Sequence, residues 1–274
     1  MVLGENGPKD SRRGGPLGWF RELGQLLGGD LTAMSAIRRQ GLDVSPWRLS
    51  ACSIVLAMFY GLCMGMFAVF GTKEPRPVQL VASMVKVPLV FYLTLLVTLP
   101  SLYVFNALVG SRLSLGGVVR LLVASIAVNT AVLASLGPIV AFFSVCTTSY
   151  PFMLVFNVVI FAVAGFFGVR FLLQTMQRMT LVSTTPPPTV PGEWEGDNEA
   201  EAARTGNAAR IQAVANNVRM VVRLWIIVFG LVGAQMGWVL RPFVGNPNVP
   251  FTWFRPRESN FFQAVMKALS QLFS

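Results

Sequence analysis

Histidine is absent from the chain, and with it go imidazole acid/base catalysis, Ser-His triads and histidine metal ligands. Three cysteines occur, Cys52, Cys63 and Cys146, and none forms a C-x-x-C pair, so neither a zinc site nor a dithiol redox motif is indicated. All three are expected to be small buried hydrophobes. Among the side chains left for polar chemistry inside apolar sequence are four amides, Asn106, Asn129, Asn157 and Gln235. An amide facing hydrocarbon is costly, so each is expected to face another helix as a polar contact. No carboxylate lies in any apolar stretch, and a proton relay or cation path therefore lacks its usual parts. No catalytic residue, metal site or cofactor is expected, and the reading is non-enzymatic.

The elements that must hold these amides are set by composition. Hydrophobic residues make up 54% of the chain and charged residues 12%, about half the share typical of a soluble domain. A body with so little polar surface is expected to dissolve in lipid. A bilayer core of about 30 Å needs about 20 apolar residues at 1.5 Å each. Five stretches qualify: 49–71, 87–109, 118–145, 152–175 and 221–240. In the fourth, fourteen Leu, Ile, Val or Phe side chains between Met153 and Leu173 favour insertion by roughly 4–8 kcal/mol. Arg170 opposes by at most about 3 kcal/mol, so insertion wins. The expected fold is all-α, a bundle of five transmembrane helices with flanking interfacial amphipathic helices.

The net charge of +10 is assigned to membrane orientation rather than nucleic acid, because the basic residues flank the apolar spans and no nucleic-acid-binding signature occurs. With the N-terminus cytoplasmic, fifteen Lys and Arg fall on that side against seven on the other. The asymmetry predicts a multi-pass protein of a bacterial inner membrane, N-terminus cytoplasmic and C-terminus outside. In that topology Asn157 and Gln235 each lie about five residues from the outer end, about 8 Å deep, and are expected to meet at matched height. Lys86 is expected at the head of span two, reaching outer headgroups. Pro88, Pro100 and Pro138 are expected to shape spans two and three.

The domain reading follows. Residues 1–48 form a cytoplasmic segment with amphipathic helices, in which Trp19, Phe20, Leu23, Leu26 and Leu27 make a stripe ended by Gly28-Gly29. A four-helix region, 49–176, precedes a Pro-rich linker and helix, 177–220, and the fifth span, 221–240. The outer tail, 241–274, combines stiff Arg-Pro steps with aromatics. Arg241, Phe243, Trp253, Phe254, Arg255 and Arg257 are candidate interfacial or partner contacts, with Phe261 and Phe262 on a terminal amphipathic helix. Gly61-x-x-x-Gly65 and Gly233-x-x-x-Gly237 are candidate helix-packing pairs, within the chain or between two copies.

The stretch KVPLVFYLTLLVTLPSLYVFNALVGSRLSLGGVVRLLVAS, Lys86 to Ser125, resembles the core of the Yip1-type membrane domain, with Gly110, Arg112 and Gly116-Gly117 at the turn between two spans. The full length also looks like a group of bacterial multi-pass proteins with Arg-Pro-Phe after the last span. In eukaryotes the Yip1-type resemblance implies small-GTPase binding and vesicle traffic, and it assigns no catalytic residue. Sparse interior polarity beside elaborate peripheral segments favours a subunit or scaffold of a membrane complex. Its partners would be the lipid bilayer and a protein or a second copy of the chain, with no nucleic acid. The alternative is a transporter or channel for a small or lipid-like substrate, which requires an open cavity lined by Asn129, Asn106 and Thr98 rather than a bundle closed by Phe, Leu and Val.

Overall fold

The computed structural model describes residues 16–29, 45–71, 77–108, 115–184, 220, 223–240 and 260–273. The described residues form α1 (Pro16–Leu27), α2 (Pro46–Gly65), α3 (Phe67–Phe70), α4 (Pro77–Leu108), α5 (Leu115–Cys146), α6 (Tyr150–Thr184), α7 (Arg223–Leu240) and α8 (Phe261–Phe273). No strand occurs among them. Five helical segments are long and apolar enough to cross a membrane: Pro46–Phe70, Pro77–Ser101, Gly116–Cys146, Tyr150–Arg178 and Arg223–Leu240. The architecture is an all-α bundle, as composition and apolar run length predict.

Two boundaries differ from expectation. Span two begins at Pro77, ten residues before 87, because Val78, Leu80 and Val81 extend the apolar run past Lys86. Lys86 accordingly lies inside α4 and is 4% exposed, rather than reaching out from its end. The fourth span, α6, continues to Thr184, into the region expected to be linker, since no Pro or Gly occurs between Val169 and Thr184. Pro88, Pro100 and Pro138 are all accommodated within continuous helices.

Side-chain contacts fix the direction of each helix. On α2, Gly61 faces Ser83 and Met84 of α4, Gly65 faces Leu80, and Ser50 accepts a hydrogen bond from Tyr92. The numbers rise on one helix as they fall on the other, so α2 and α4 are antiparallel. Cys63 of α2 lies against Gly137 of α5, and its carbonyl accepts from Ser144, while Leu23 and Leu26 of α1 reach the same core. Helices α5 and α6 are antiparallel, with Ser125 meeting Gly168 at one end and Phe143 meeting Phe152 and Phe156 at the other. Trp225 of α7 bonds at Thr98 and Ser101 of α4, and Gly233 packs on Thr94, so α7 runs antiparallel to α4. The five segments alternate in direction, and the bundle starts and finishes at opposite ends.

The Gly61/Gly65 pair shows what small residues do in an apolar solvent. A Cβ on Gly61 would sit 2.6 Å from the Ser83 carbonyl oxygen and 2.8 Å from Met84 Cα, and one on Gly65 would sit 2.9 Å from Leu80 Cα. The bare faces let two backbones approach, where dispersion replaces the hydrophobic driving force that lipid cannot supply. This pair is therefore used within the chain.

Helix α1 docks rather than floats. Its stripe buries Leu23 and Leu26, 5% and 1% exposed, against α2 and α5. Glu22 accepts from the Ser45 backbone N–H at 2.9 Å and pairs with Arg48 at 3.5 Å, fixing the start of α2. Gly29, at φ 84°, ends α1 in the left-handed conformation that glycine adopts freely. Replacing Glu22 with glutamine keeps one acceptor but removes the ion pair. It should cost at most about 1 kcal/mol, read as a drop in apparent melting temperature that 0.5 M salt largely abolishes.

Candidate apolar groove

Five helices, α4 to α8, enclose a cavity of about 930 Å³. Along α6 its wall runs from Tyr150 to Leu172, about 33 Å at 1.5 Å per residue, which matches the hydrocarbon thickness of a bilayer. A space of this volume and length accommodates an extended hydrocarbon chain.

Small residues create this space. Gly165 of α6 and Gly230, Gly233, Ala234 and Gly237 of α7 line the groove, while the bare face of Gly168 packs on Ser125 and Asn129 of α5. A Cβ on Gly165 or Gly230 would meet nothing within 4 Å, so these glycines border open volume. Gly233 and Gly237 both line the cavity, and a Cβ on Gly233 would make ordinary contact with Thr94 at 3.5 Å. This second small pair thus serves the groove, unlike Gly61 and Gly65.

Most of the wall is apolar, with Phe91, Leu95, Phe161 and Phe229 prominent. The polar groups in it are mainly engaged with backbone. The Thr94 hydroxyl donates to Val90 O at 2.6 Å, and the Ser125 hydroxyl donates across to Gly168 O at 2.7 Å. Asn129 differs: its amide oxygen is buried and has no hydrogen-bond partner. An unmet buried acceptor costs about 1–3 kcal/mol.

The four sequence-predicted amides separate in space. Asn129 lines the groove. Asn157 also lines it but is satisfied, accepting from the Tyr60 hydroxyl at 2.8 Å and donating to Met153 O at 2.8 Å. Its partner is therefore Tyr60 of α2, not Gln235. The matched height fails as well. Tyr60 adjoins Gly61, which packs at Met84, whereas Gly233 packs at Thr94 and Gln235 lies two residues back toward Met84, about eight residues further along α4 and roughly 12 Å deeper. Counting from sequence ends assumed that both helices begin at one plane, but contacts to α4 set their offset. Gln235 is half-buried on α7, and Asn106 belongs to α4 with its side chain outside the described residues. The Tyr60–Asn157 bond predicts that Tyr60→Phe and Asn157→Ala lose less together than the sum of their separate effects. The coupling should be about 0.6–2 kcal/mol, measured by a double-mutant cycle of unfolding in mixed micelles.

Trp225 was not foreseen as a site residue. It is 1% exposed, donates to Thr98 O and Ser101 Oγ at 3.2 Å each, and stacks near Phe229 at 5.2 Å. A tryptophan near the start of an apolar span reads as an interfacial belt residue, and nothing local in the sequence marks this one as an anchor. Tyr60 was missed for the same reason. Cys52 and Cys63 are buried as expected, but Cys146 is exposed because α5 ends there.

Helix α8 is rolled differently from its hydrophobic stripe. Phe261, Ala264, Val265, Lys267, Ala268 and Gln271 border the cavity, while Phe262 and Met266 are 50% and 67% exposed. The alanines permit close approach to α6, which leaves the larger apolar side chains turned away from the bundle. Phe261 and Phe262 make an edge-on ring pair at 5.5 Å. Arg241, Phe243, Trp253, Phe254, Arg255 and Arg257 lie outside the described residues. Comparison of the chain with protein-family models, curated proteins and solved structures gives no match in any of the three.

Proposed function

We propose that the protein binds a lipid-like molecule in the groove between α4 and α8 and carries or presents it within the membrane, without covalent chemistry. The observation that carries this reading is a bilayer-length apolar cavity of about 930 Å³. A bundle built only to hold other proteins gains nothing from such a space, because unfilled volume forfeits packing contacts. The test is native mass spectrometry of the protein extracted in mild detergent. The wild type should retain a lipid-mass adduct. Gly165→Phe, which projects into open volume, should lose it while keeping its melting behaviour. An adduct-free wild type, or equal adducts in both, would rule out the groove as the lipid site.

A subunit or scaffold role is the second reading, favoured by α7. Only 17% of its apolar window is buried, and Leu224, Ile227 and Leu231 are exposed on it. That face would receive lipid or a partner protein, including a second copy. A fixed protein partner retained after extraction supports this role.

The same proposal places the chain in a bacterial inner membrane with its N-terminus in the cytoplasm. The fifteen-to-seven bias of basic residues supports that orientation. A phosphatase fused after Ser274 should be active and a fluorescent protein there dark, with the opposite pair of results at the N-terminus.

A further inference from the structure

Among the 34 described residues that border the groove, one is charged, Lys267 of α8, and none is acidic. Lys267 is exposed and is followed one helical turn later by Gln271, which also borders the groove. An exposed ammonium cannot lie in the hydrocarbon interior, so it marks an opening of the groove to a polar layer. Long apolar walls with one cation at the mouth have a matching ligand chemistry. The chain of an amphiphile fills the groove, and its head carries negative charge.

Resting on the lipid-binding reading above, we infer that the groove selects membrane lipids with an anionic headgroup, and that Lys267 reads that charge from the mouth. A zwitterionic head offers the lysine a phosphate together with an adjacent cation that opposes it. A net anionic head offers the phosphate alone. The Gln271 amide can donate a hydrogen bond to the same phosphate oxygens. A single lysine near a membrane surface supplies selectivity of about fivefold, so the preference is modest and should depend on salt.

The groove contains its own reporter. Trp225 borders it and is 1% exposed, so the indole lies just behind the groove wall, nearer to a chain in the groove than to lipid outside the bundle. The experiment uses full-length protein with Trp225 as its sole tryptophan, the other five being replaced by phenylalanine. It is reconstituted in phosphatidylcholine nanodiscs that carry a small fraction of lipid with brominated acyl chains, which quench an indole at short range. Brominated phosphatidylglycerol should quench at about fivefold lower mole fraction than brominated phosphatidylcholine. Lys267→Gln should erase the difference and Lys267→Arg should keep it. Inorganic phosphate at millimolar concentration should not compete, since it has no chain.

Equal quenching by the two lipids, removed by Gly165→Phe, would overturn the headgroup inference and leave the groove reading standing. Quenching by neither lipid would overturn both. A headgroup preference that survives Lys267→Gln would assign the selectivity elsewhere and likewise overturn the inference.

Discussion

Replacing Trp225 with alanine is expected to release α7 from the bundle. Among the described residues, α7 meets α4 through the indole N–H, shared by Thr98 O and Ser101 Oγ, and through Gly233 against Thr94. Truncating a buried tryptophan in a water-soluble core costs about 3–5 kcal/mol. In a bilayer the freed surface meets lipid rather than water, so the transfer part of that loss is small. The packing and hydrogen-bond parts remain, and about 3 kcal/mol is expected. For a helix that keeps only 17% of its apolar window buried, this is enough to detach it.

The measurement is a proximity reading. Cysteines at Thr94 and Gly233, with Cys52, Cys63 and Cys146 replaced, should form a disulfide, because a Gly233 Cβ lies 3.5 Å from Thr94 Cγ2. The disulfide should form readily beside Trp225 and slowly beside Trp225→Ala. Trp225→Phe, which keeps a ring but loses both hydrogen bonds, should fall between them. Equal rates in all three would show that α7 is held by other contacts. Because α7 forms one wall of the groove, the alanine variant should also lose the lipid adduct that the proposed function expects.

Placing a side chain at Gly61 should damage the other half of the molecule. Its Cβ would fall 2.6 Å from a carbonyl oxygen and 2.8 Å from a Cα, and backbone cannot turn aside as a side chain can. Helices α2 and α4 must separate, and the Tyr60–Asn157 bond next door is strained with them. Gly61→Val is expected to lose about 1–3 kcal/mol or more, a fall of roughly 2–4 °C in apparent melting temperature per kcal/mol at this size. Gly233→Ala is the control, since 3.5 Å is ordinary contact, and its melting should be nearly unchanged. The two substitutions look alike in sequence, as both alter the first glycine of a G-x-x-x-G pair. If they melted together, the distances to Ser83 and Met84 would be wrong.

That pair also shows how far the sequence could be read. The motif marks a face without side chains but not what lies opposite it. For Gly61 and Gly65 the opposite surface is the α4 backbone, and for Gly233 and Gly237 it is Thr94 and the groove. The groove glycine Gly165 belongs to no motif, because the emptiness it borders depends on how far α6 stands from α7. The amides divide in the same way. Sequence identified Asn129 and Asn157 as residues that must face protein, from the cost of an amide in hydrocarbon. It could not say that Tyr60 satisfies one and that the other's oxygen is left unmet.

The sequence by itself determined that the chain is helical, that five segments are apolar enough to span a bilayer, and that α1 and α8 are amphipathic. These properties follow from composition and period, which act within one segment and need no neighbour. Tertiary structure alone decided the pairing of Asn157, the anchoring of Trp225, the inward burial of Lys86, the roll of α8 and the groove itself. Each depends on the offset and separation of two helices. In an apolar solvent those distances are set by side-chain packing and a few hydrogen bonds rather than by the pattern of hydrophobicity, because every face of a lipid-embedded helix is apolar.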